Sequence, residues 1–250
     1  MSKDDNKKIN SKEKISDDVE IIKISSLRKT IAKKMIIAKT IIPETTLIDE
    51  VDIDKLVDLR KKIQPLAQEK NVKLTYMCFI AKAVSLALQE FPLFNASFDD
   101  EKDEIILKKK INLGIAIDTK SGLIAPNIKN IAELTIIELA QKIQQIVQKT
   151  IDQKLELEDI QKGTFTLSNY GSIGALYGTP IVNHPELAIL GIGKILKKPM
   201  VKNEEIYIAN VLHLSITVDH RIIDGANAVR FLNKITSLLN DTTILENHIF

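Results

Sequence analysis

The chain has a single cysteine, Cys78, so no disulfide can form within it. It has no tryptophan, and only four of its 35 basic residues are arginines: Arg28, Arg60, Arg221 and Arg230. That bias, with many isoleucines, looks like an AT-rich coding sequence and says little about chemistry. It does make each planar guanidinium worth inspecting. No run of about 18 apolar residues is present, so no membrane-spanning helix is expected. Neither charge sign dominates: the net charge is +2 over 250 residues, with lysines and acids interleaved. No basic face is large enough to argue for nucleic acid. The N-terminus lacks the apolar stretch of a signal peptide, and its acids argue against a transit peptide. A reducing, cytoplasmic compartment is the expectation.

Apolar residues make up 44% of the chain and charged residues 27%, and the length suits one large domain or two small ones. Residues 1–20 contain few core formers and read as a tail or linker, leaving 21–250 as the folded domain. Ser26 is placed to cap a helix over 27–38, with Ile31, Met35 and Ala38 on one face. Alternation over 45–53 predicts a strand. Helices are expected over 54–70, with Asp54 as cap, and over 74–91, a stretch apolar on most sides in which Cys78 reads as a buried, inert thiol. Strands follow at 104–107, 111–117 and 123–128, then a helix over 132–149. Further strands are expected at 164–167, 181–182, 187–191 and 206–218. A final helix over 225–239 turns Ala228, Phe231, Leu232 and Ile235 inward. The mixture predicts an α/β (α+β) fold of two layers, a mixed sheet flanked by helices.

The most informative stretch is Asp219-His220-Arg221-Ile222-Ile223-Asp224-Gly225. It lies between a strand and a helix, where polar turn residues are frequent catalytic positions. An imidazole there suits a general base at neutral pH. On spacing alone, however, H-x-x-x-D-G is more often an ordinary turn. A second stretch, Gly163-Thr164-Phe165-Thr166-Leu167-Ser168-Asn169, runs a strand into a small polar turn. Ser168 either bonds its own turn or donates to an oxyanion. The nucleophile-elbow pattern is absent, because Thr166 stands two before Ser168. A third stretch, 114–126, reads as a β-hairpin in which Asp118 closes the turn.

Taken together these motifs resemble the dihydrolipoamide acyltransferases, the E2 components of 2-oxo-acid dehydrogenase complexes. Asp219-His220-Arg221-x-x-Asp224-Gly225 carries the resemblance. So do the Gly163–Asn169 stretch, Thr179-Pro-Ile-Val-Asn183, Pro185-Glu-Leu-Ala-Ile-Leu-Gly191, Asp118-x-x-x-Gly-Leu-Ile-x-Pro126 and Phe91-Pro-Leu-Phe-Asn95. The matches run in one order over about 24–239.

The resemblance implies a chloramphenicol-acetyltransferase-like fold. The implied reaction moves an acyl group, acetyl by family frequency, between dihydrolipoamide and coenzyme A at the core of a pyruvate dehydrogenase complex. His220 matches the base that takes the thiol proton, Asp224 the acid that fixes the turn, and Ser168 the oxyanion donor. Arg60, Thr75, Asp118, Asn169, Gly193 and Lys194 fall where family members line the coenzyme A channel. It implies a homotrimer with sites shared between subunits, and assembly of trimers into a larger cage. The lipoyl domain and the E1 and E3 components are the implied partners, in the bacterial cytoplasm, and no metal is needed.

The sequence departs from the family in two places. No lipoyl or subunit-binding domain fits in the first 20 residues, so the lipoyl group is expected from another domain or subunit, the chain being a truncated piece or a natural short form. The C-terminal stretch 241–250 matches the family's docking hook only loosely. Two competing readings share the H-x-x-x-D-G turn or the fold. Chloramphenicol acetyltransferases and condensation domains leave the Asp118–Pro126 and Pro185–Gly191 motifs unexplained. A silent scaffold leaves His220, Asp224 and Ser168 unexplained.

Overall fold

The computed structural model describes residues 20–119 and 122–250. Residues 1–19, read above as a tail, and the Lys120-Ser121 hairpin tip lie outside the described residues.

Helix α1 (Ser26–Ile41) is capped by Ser25, one residue earlier than expected, whose hydroxyl accepts from the Arg28 amide at 3.2 Å. Ala38 is buried and Ile31 and Met35 are half-buried, so the predicted face is only partly covered by the described residues. Strand β1 (Glu44–Asp52) leads into α2 (Asp54–Glu69), where Asp54 is the first helical residue rather than the cap. Leu56, Leu59, Ile63 and Ala67 recur every three or four positions and are buried, the spacing that puts side chains on one face. Helix α3 (Tyr76–Glu90) is buried almost throughout, Cys78 included, and burial pushes the Cys78 thiol up. The expectation of an inert thiol holds.

A small hairpin, β2 (Ala96–Asp99) with β3 (Glu104–Leu107), follows. The expected second hairpin is formed by β4 (Leu113–Thr119) and β5 (Gly122–Ile124), and β6 (Asn127–Ile128) pairs back onto β4. Helix α4 (Ile136–Ile151) starts four residues later than expected. Thr135 and Glu138 fix that start with reciprocal bonds of 3.2 and 2.8 Å, a capping box. After the short α5 (Leu157–Ile160) come β7 (Phe165–Asn169), β8 (Ala188–Lys202), β9 (Glu205–Asp219), α6 (Gly225–Asn240) and the short α7 (Thr243–Glu246). Residues 181–182 form no strand. Val182 packs on the sheet instead, buried with Ile42 and Ile189.

The main sheet runs β1-β9-β8-β7-β4-β5, with β6 beside β4, and it is mixed as expected: β4, β7 and β8 are parallel, while β8, β9 and β1 are antiparallel. Alternation along β9 divides the faces. Leu212, Leu214, Ile216 and Val218 join Leu56, Phe79, Ile136 and Phe231 in one core cluster. His213, Ser215, Thr217 and Asp219 point the other way, yet all four are buried. Under α6, Phe231 stacks on Phe94 at 4.0 Å, and Phe91 and Phe165 meet Phe231 at 5.9 and 5.8 Å. Truncating such a buried ring costs about 3–5 kcal/mol. This cluster anchors the helix that follows the His220 turn.

Candidate active site

His220 is the first residue beyond β9. Its backbone N–H donates to the Pro43 carbonyl at 3.1 Å, and its side chain is exposed. Its neighbours on each side do the holding. Asp219 is buried, and its carbonyl accepts from the Ile222 and Ile223 amides at 3.1 and 2.9 Å, which closes the turn. The Asp219 carboxylate accepts from Arg221 Nε at 3.0 Å and Nη2 at 2.6 Å, while Arg221 Nη1 reaches Asp100 and the guanidinium lies 5.2 Å from the Phe98 ring. These two carboxylates drive the Arg221 proton affinity further up. A bidentate, partly buried pair is rigid. It ties the turn to the β2–β3 hairpin and leaves the imidazole projecting, with no hydrogen bond to it among the described residues.

The acid matched above to fixing the turn is Asp224. Asp224 sits at the N-cap of α6, but its side chain caps nothing and is exposed. Within the chain, Asp219 fixes the turn. Sequence reasoning missed this role because a buried carboxylate beside an arginine reads like any alternating charge pair.

Ser168 is half-buried near the end of β7, paired with Ala116 on β4 and Gly191 on β8. The pocket behind it admits no side chain at position 191. A Cβ there would lie 2.3 Å from Ser215 Oγ and 2.7 Å from the Tyr170 ring. Tyr170 in turn bonds Ser215 Oγ at 2.8 Å. Asn169 Oδ1 accepts from the Ser172 amide at 3.1 Å, so this side chain shapes the turn after the strand.

Asp118 lies two residues beyond the partner of Ser168 on β4, and Gly193 and Lys194 lie two and three beyond its partner on β8. Asp118, Ser168, Asn169, Gly193 and Lys194 thus gather at one end of the sheet. Arg60 and Thr75 form a separate pair in the helical layer. Arg60 Nε donates to the Leu74 carbonyl at 3.0 Å with its guanidinium 5.0 Å from the Tyr76 ring, and Thr75 stands at the N-cap position of α3 with its hydroxyl 3.5 Å from Cys78 Sγ.

His220 does not join the Ser168 group within one chain. Ser168 is opposite Gly191, Gly191 is opposite Ser215, and His220 is five residues further along β9. With about 3.3 Å per residue and 4.8 Å per strand, the two α-carbons are roughly 19 Å apart.

A cavity of about 630 Å³ opens elsewhere, near Lys108, Asn112, Gly163 and Glu186, and includes neither Ser168 nor His220. Glu186 is fully buried there. It accepts from Thr166 Oγ1 at 2.7 Å and Asn183 Nδ2 at 2.9 Å, and burial outweighs both, raising its pKa to about 7. Among the described residues, no group of three or more His, Cys, Asp and Glu side chains is placed to hold a metal, and no helix is long and apolar enough to cross a membrane.

The comparisons with known proteins agree with one another. The family model for the 2-oxoacid dehydrogenases acyltransferase (catalytic domain) matches residues 16–246. The dihydrolipoyllysine-residue acetyltransferase component of the pyruvate dehydrogenase complex of Acholeplasma laidlawii is 53% identical over 228 residues, covering 91% of this chain and 42% of that protein. The dihydrolipoamide acetyltransferase (E2p) of Azotobacter vinelandii has a structure in which the catalytic roles of a serine, a histidine and an asparagine were investigated. It superposes with a TM-score of 0.89 at 32% identity, covering 91% of this chain and 94% of that one. The cubic core of the pyruvate dehydrogenase multienzyme complex superposes with a TM-score of 0.88, also at 32% identity and with the same coverage. The chain spans about half the length of the curated relatives it matches. It belongs to the family of 2-oxoacid dehydrogenase acyltransferases, whose catalytic domain its residues 16–246 match.

Proposed function

We propose that this chain transfers an acetyl group between dihydrolipoamide and coenzyme A, as the E2 core of a pyruvate dehydrogenase complex in the bacterial cytoplasm. The observation that carries this reading is a spacing. In the Azotobacter vinelandii enzyme the investigated serine and histidine are fifty-two positions apart, and the asparagine follows the histidine by four. Ser168, His220 and Asp224 have the same two spacings here. Curated relatives from Acholeplasma laidlawii, Bacillus subtilis and Staphylococcus epidermidis are acetyltransferase components of pyruvate dehydrogenase complexes, which supports acetyl as the group carried.

In this reading the His220 imidazole takes the proton from the coenzyme A thiol. An unassisted thiol with pKa near 8.5 is largely protonated at neutral pH, and the base supplies the thiolate. The thiolate attacks the acetyl thioester carbon, and the carbonyl electrons move to its oxygen. Ser168 Oγ–H donates to that oxyanion. Collapse expels the dihydrolipoamide thiolate, which recovers the proton from His220. Asp224 acts through a carboxyl oxygen, since the corresponding Azotobacter residue is an amide and not an acid. Asp118, Asn169, Gly193 and Lys194 line the coenzyme A path beside Ser168. Arg60 and Thr75 meet a more distant part of it.

The roughly 19 Å between Ser168 and His220 supports a site shared between subunits, with the His220 turn of one chain facing the Ser168 strand end of its neighbour. A homotrimer closes such a head-to-tail contact. The exposed apolar residues Ile36, Ile37 and Ile41 of α1 suit burial against a neighbour. Assembly into a cage, the lipoyl group of another domain, and the E1 and E3 components complete the proposal.

Purified protein is tested with acetyl-, succinyl- and isobutyryl-coenzyme A and dihydrolipoamide, with thioester formation as the readout. Acetyl transfer is expected to be fastest. Faster succinyl or isobutyryl transfer overturns the assignment of the acyl group, and no transfer with any of the three overturns the enzyme reading.

A further inference from the structure

Behind the Ser168 strand end sits a cluster that acyl transfer itself does not use. His213 projects from β9 on the same side as Ser215 and is buried. Its Nδ1 is 3.0 Å from the Lys194 carbonyl oxygen, and its Nε2 is 3.2 Å from Glu50 Oε1. The second contact is close but is not an aligned hydrogen bond. A neutral imidazole has one N–H and one lone pair, so only the imidazolium offers a donor to both oxygens.

Glu50 is shared. Lys198 Nζ donates to its two oxygens at 2.7 and 2.6 Å, and the Tyr177 hydroxyl donates at 2.9 Å. The Lys198 bond is the main reason the Glu50 carboxyl is held below its usual range. The Tyr177 ring meets His213 edge-on at 4.9 Å.

The cluster backs the segment that links Ser168 to β8. The Lys194 amide donates to the Ala175 carbonyl at 3.0 Å. A Cβ on Gly171 would come within 2.2 Å of the Gly193 oxygen. One on Gly193 would come within 2.1 Å of the Leu176 oxygen and 3.0 Å of His213 Cβ. Residues 170–178 therefore lie flush on the β8 irregularity at 193–194, with His213 directly beneath and Tyr177 carrying the far end to Glu50.

We propose that His213, with Glu50 as its counter-ion, is a positioning residue for the Ser168 half of the active site: it holds the Lys194 carbonyl and, through it, residues 170–178. This rests on the acyl-transfer reading, in which Asn169, Gly193 and Lys194 line the coenzyme A path. The groups facing His213 are Glu50 from β1, Lys198 and the Lys194 carbonyl from β8, and Tyr177 from the segment itself. Lys198 and His213 compete for one carboxylate. Loss of the ring donor leaves the Lys194 oxygen without its partner, which loosens the segment. The effect falls on coenzyme A binding and not on the chemical step.

Two readouts test this on the full chain at one pH. The first is KM for coenzyme A against kcat. In His213→Ala, which removes the ring donor, KM is expected to rise about tenfold with kcat kept, the scale of one hydrogen bond left unmade. His213→Asn keeps an N–H for the Lys194 oxygen and is expected to recover most of that loss, and Glu50→Gln is expected to raise KM in the same direction as His213→Ala. The second readout is amide hydrogen exchange of residues 170–178. Protection is expected to fall in His213→Ala and in Glu50→Gln and to return in His213→Asn. An unchanged KM or unchanged protection of residues 170–178 in the folded His213→Ala or Glu50→Gln protein overturns the proposal. If the unsubstituted protein transfers no acyl group, the acyl-transfer reading fails while hydrogen exchange still decides the role of His213.

Discussion

Ser168 and His220 lie at opposite ends of one sheet, on strands two apart, roughly 19 Å from each other in the same chain. Neither side chain spans that gap. A reaction that needs both must draw them from different chains, and this is the central claim of the account.

His220→Ala is expected to lower kcat about 10²–10⁴-fold, the usual contribution of a general base. Stability is expected to change by less than about 0.5 kcal/mol, because the side chain is exposed and bonds nothing among the described residues. Steady-state kinetics and urea unfolding measure the two effects. A variant with near-normal kcat removes His220 from the role of base.

Ser168→Ala is expected to lower kcat about 10²–10³-fold with little change in KM for coenzyme A, since an oxyanion donor acts in the transition state. A raised KM with unchanged kcat makes Ser168 a binding residue.

Asp224 supplies an oxygen, not a charge, if the Azotobacter asparagine is a guide. Asp224→Asn is then expected to keep kcat within about tenfold, whereas Asp224→Ala loses about a hundredfold or more, the scale of a hydrogen bond to a charged partner. Equal losses in the two variants make the negative charge essential.

Glu186 gives the protein a pH-dependent cost. Its pKa is 4.5 in an ordinary environment and about 7 in the fold. Between those values the folded chain holds the extra proton, so this contribution to stability is full below about 4.5 and is lost as pH rises through 7. Glu186→Gln keeps partners for Thr166 and Asn183 without a charge. It is expected to be more stable than the unsubstituted protein at pH 8.5, by on the order of 3 kcal/mol, and equal to it near pH 4. Urea unfolding at both pH values decides it, and the same difference at both contradicts the assignment.

Local patterns carried much of the fold. The 114–126 hairpin and the inward face of α6 needed only alternation and three-to-four spacing, and both are present. The long β8–β9 hairpin was legible only as two fragments, 187–191 and 206–218. Lys194–Lys202 holds four lysines without strict alternation and contains Pro199, which breaks a strand signal. Its turn is Asn203-Glu204, both at positive φ, and glutamate does not advertise such a turn as glycine does. The site shows the same divide. His220 and Ser168 stood in recognisable motifs. The Asp219–Arg221–Asp100 tie, and the meeting of Glu50, Tyr177, Lys198 and His213, depend on pairings across more than a hundred residues of sequence. No local pattern encodes those.

The shared site is tested most directly by mixing two inactive variants. His220→Ala and Ser168→Ala chains are combined in equal amounts, unfolded together and refolded. Where a His220 turn meets a neighbour's Ser168 strand end, about one interface in four pairs two intact residues, and acetyl transfer is expected to return to about a quarter of the unsubstituted value. Each variant refolded alone remains inactive. If the mixture recovers nothing beyond the separate variants, while unsubstituted protein refolds to full activity, the site lies within one chain and the account is wrong.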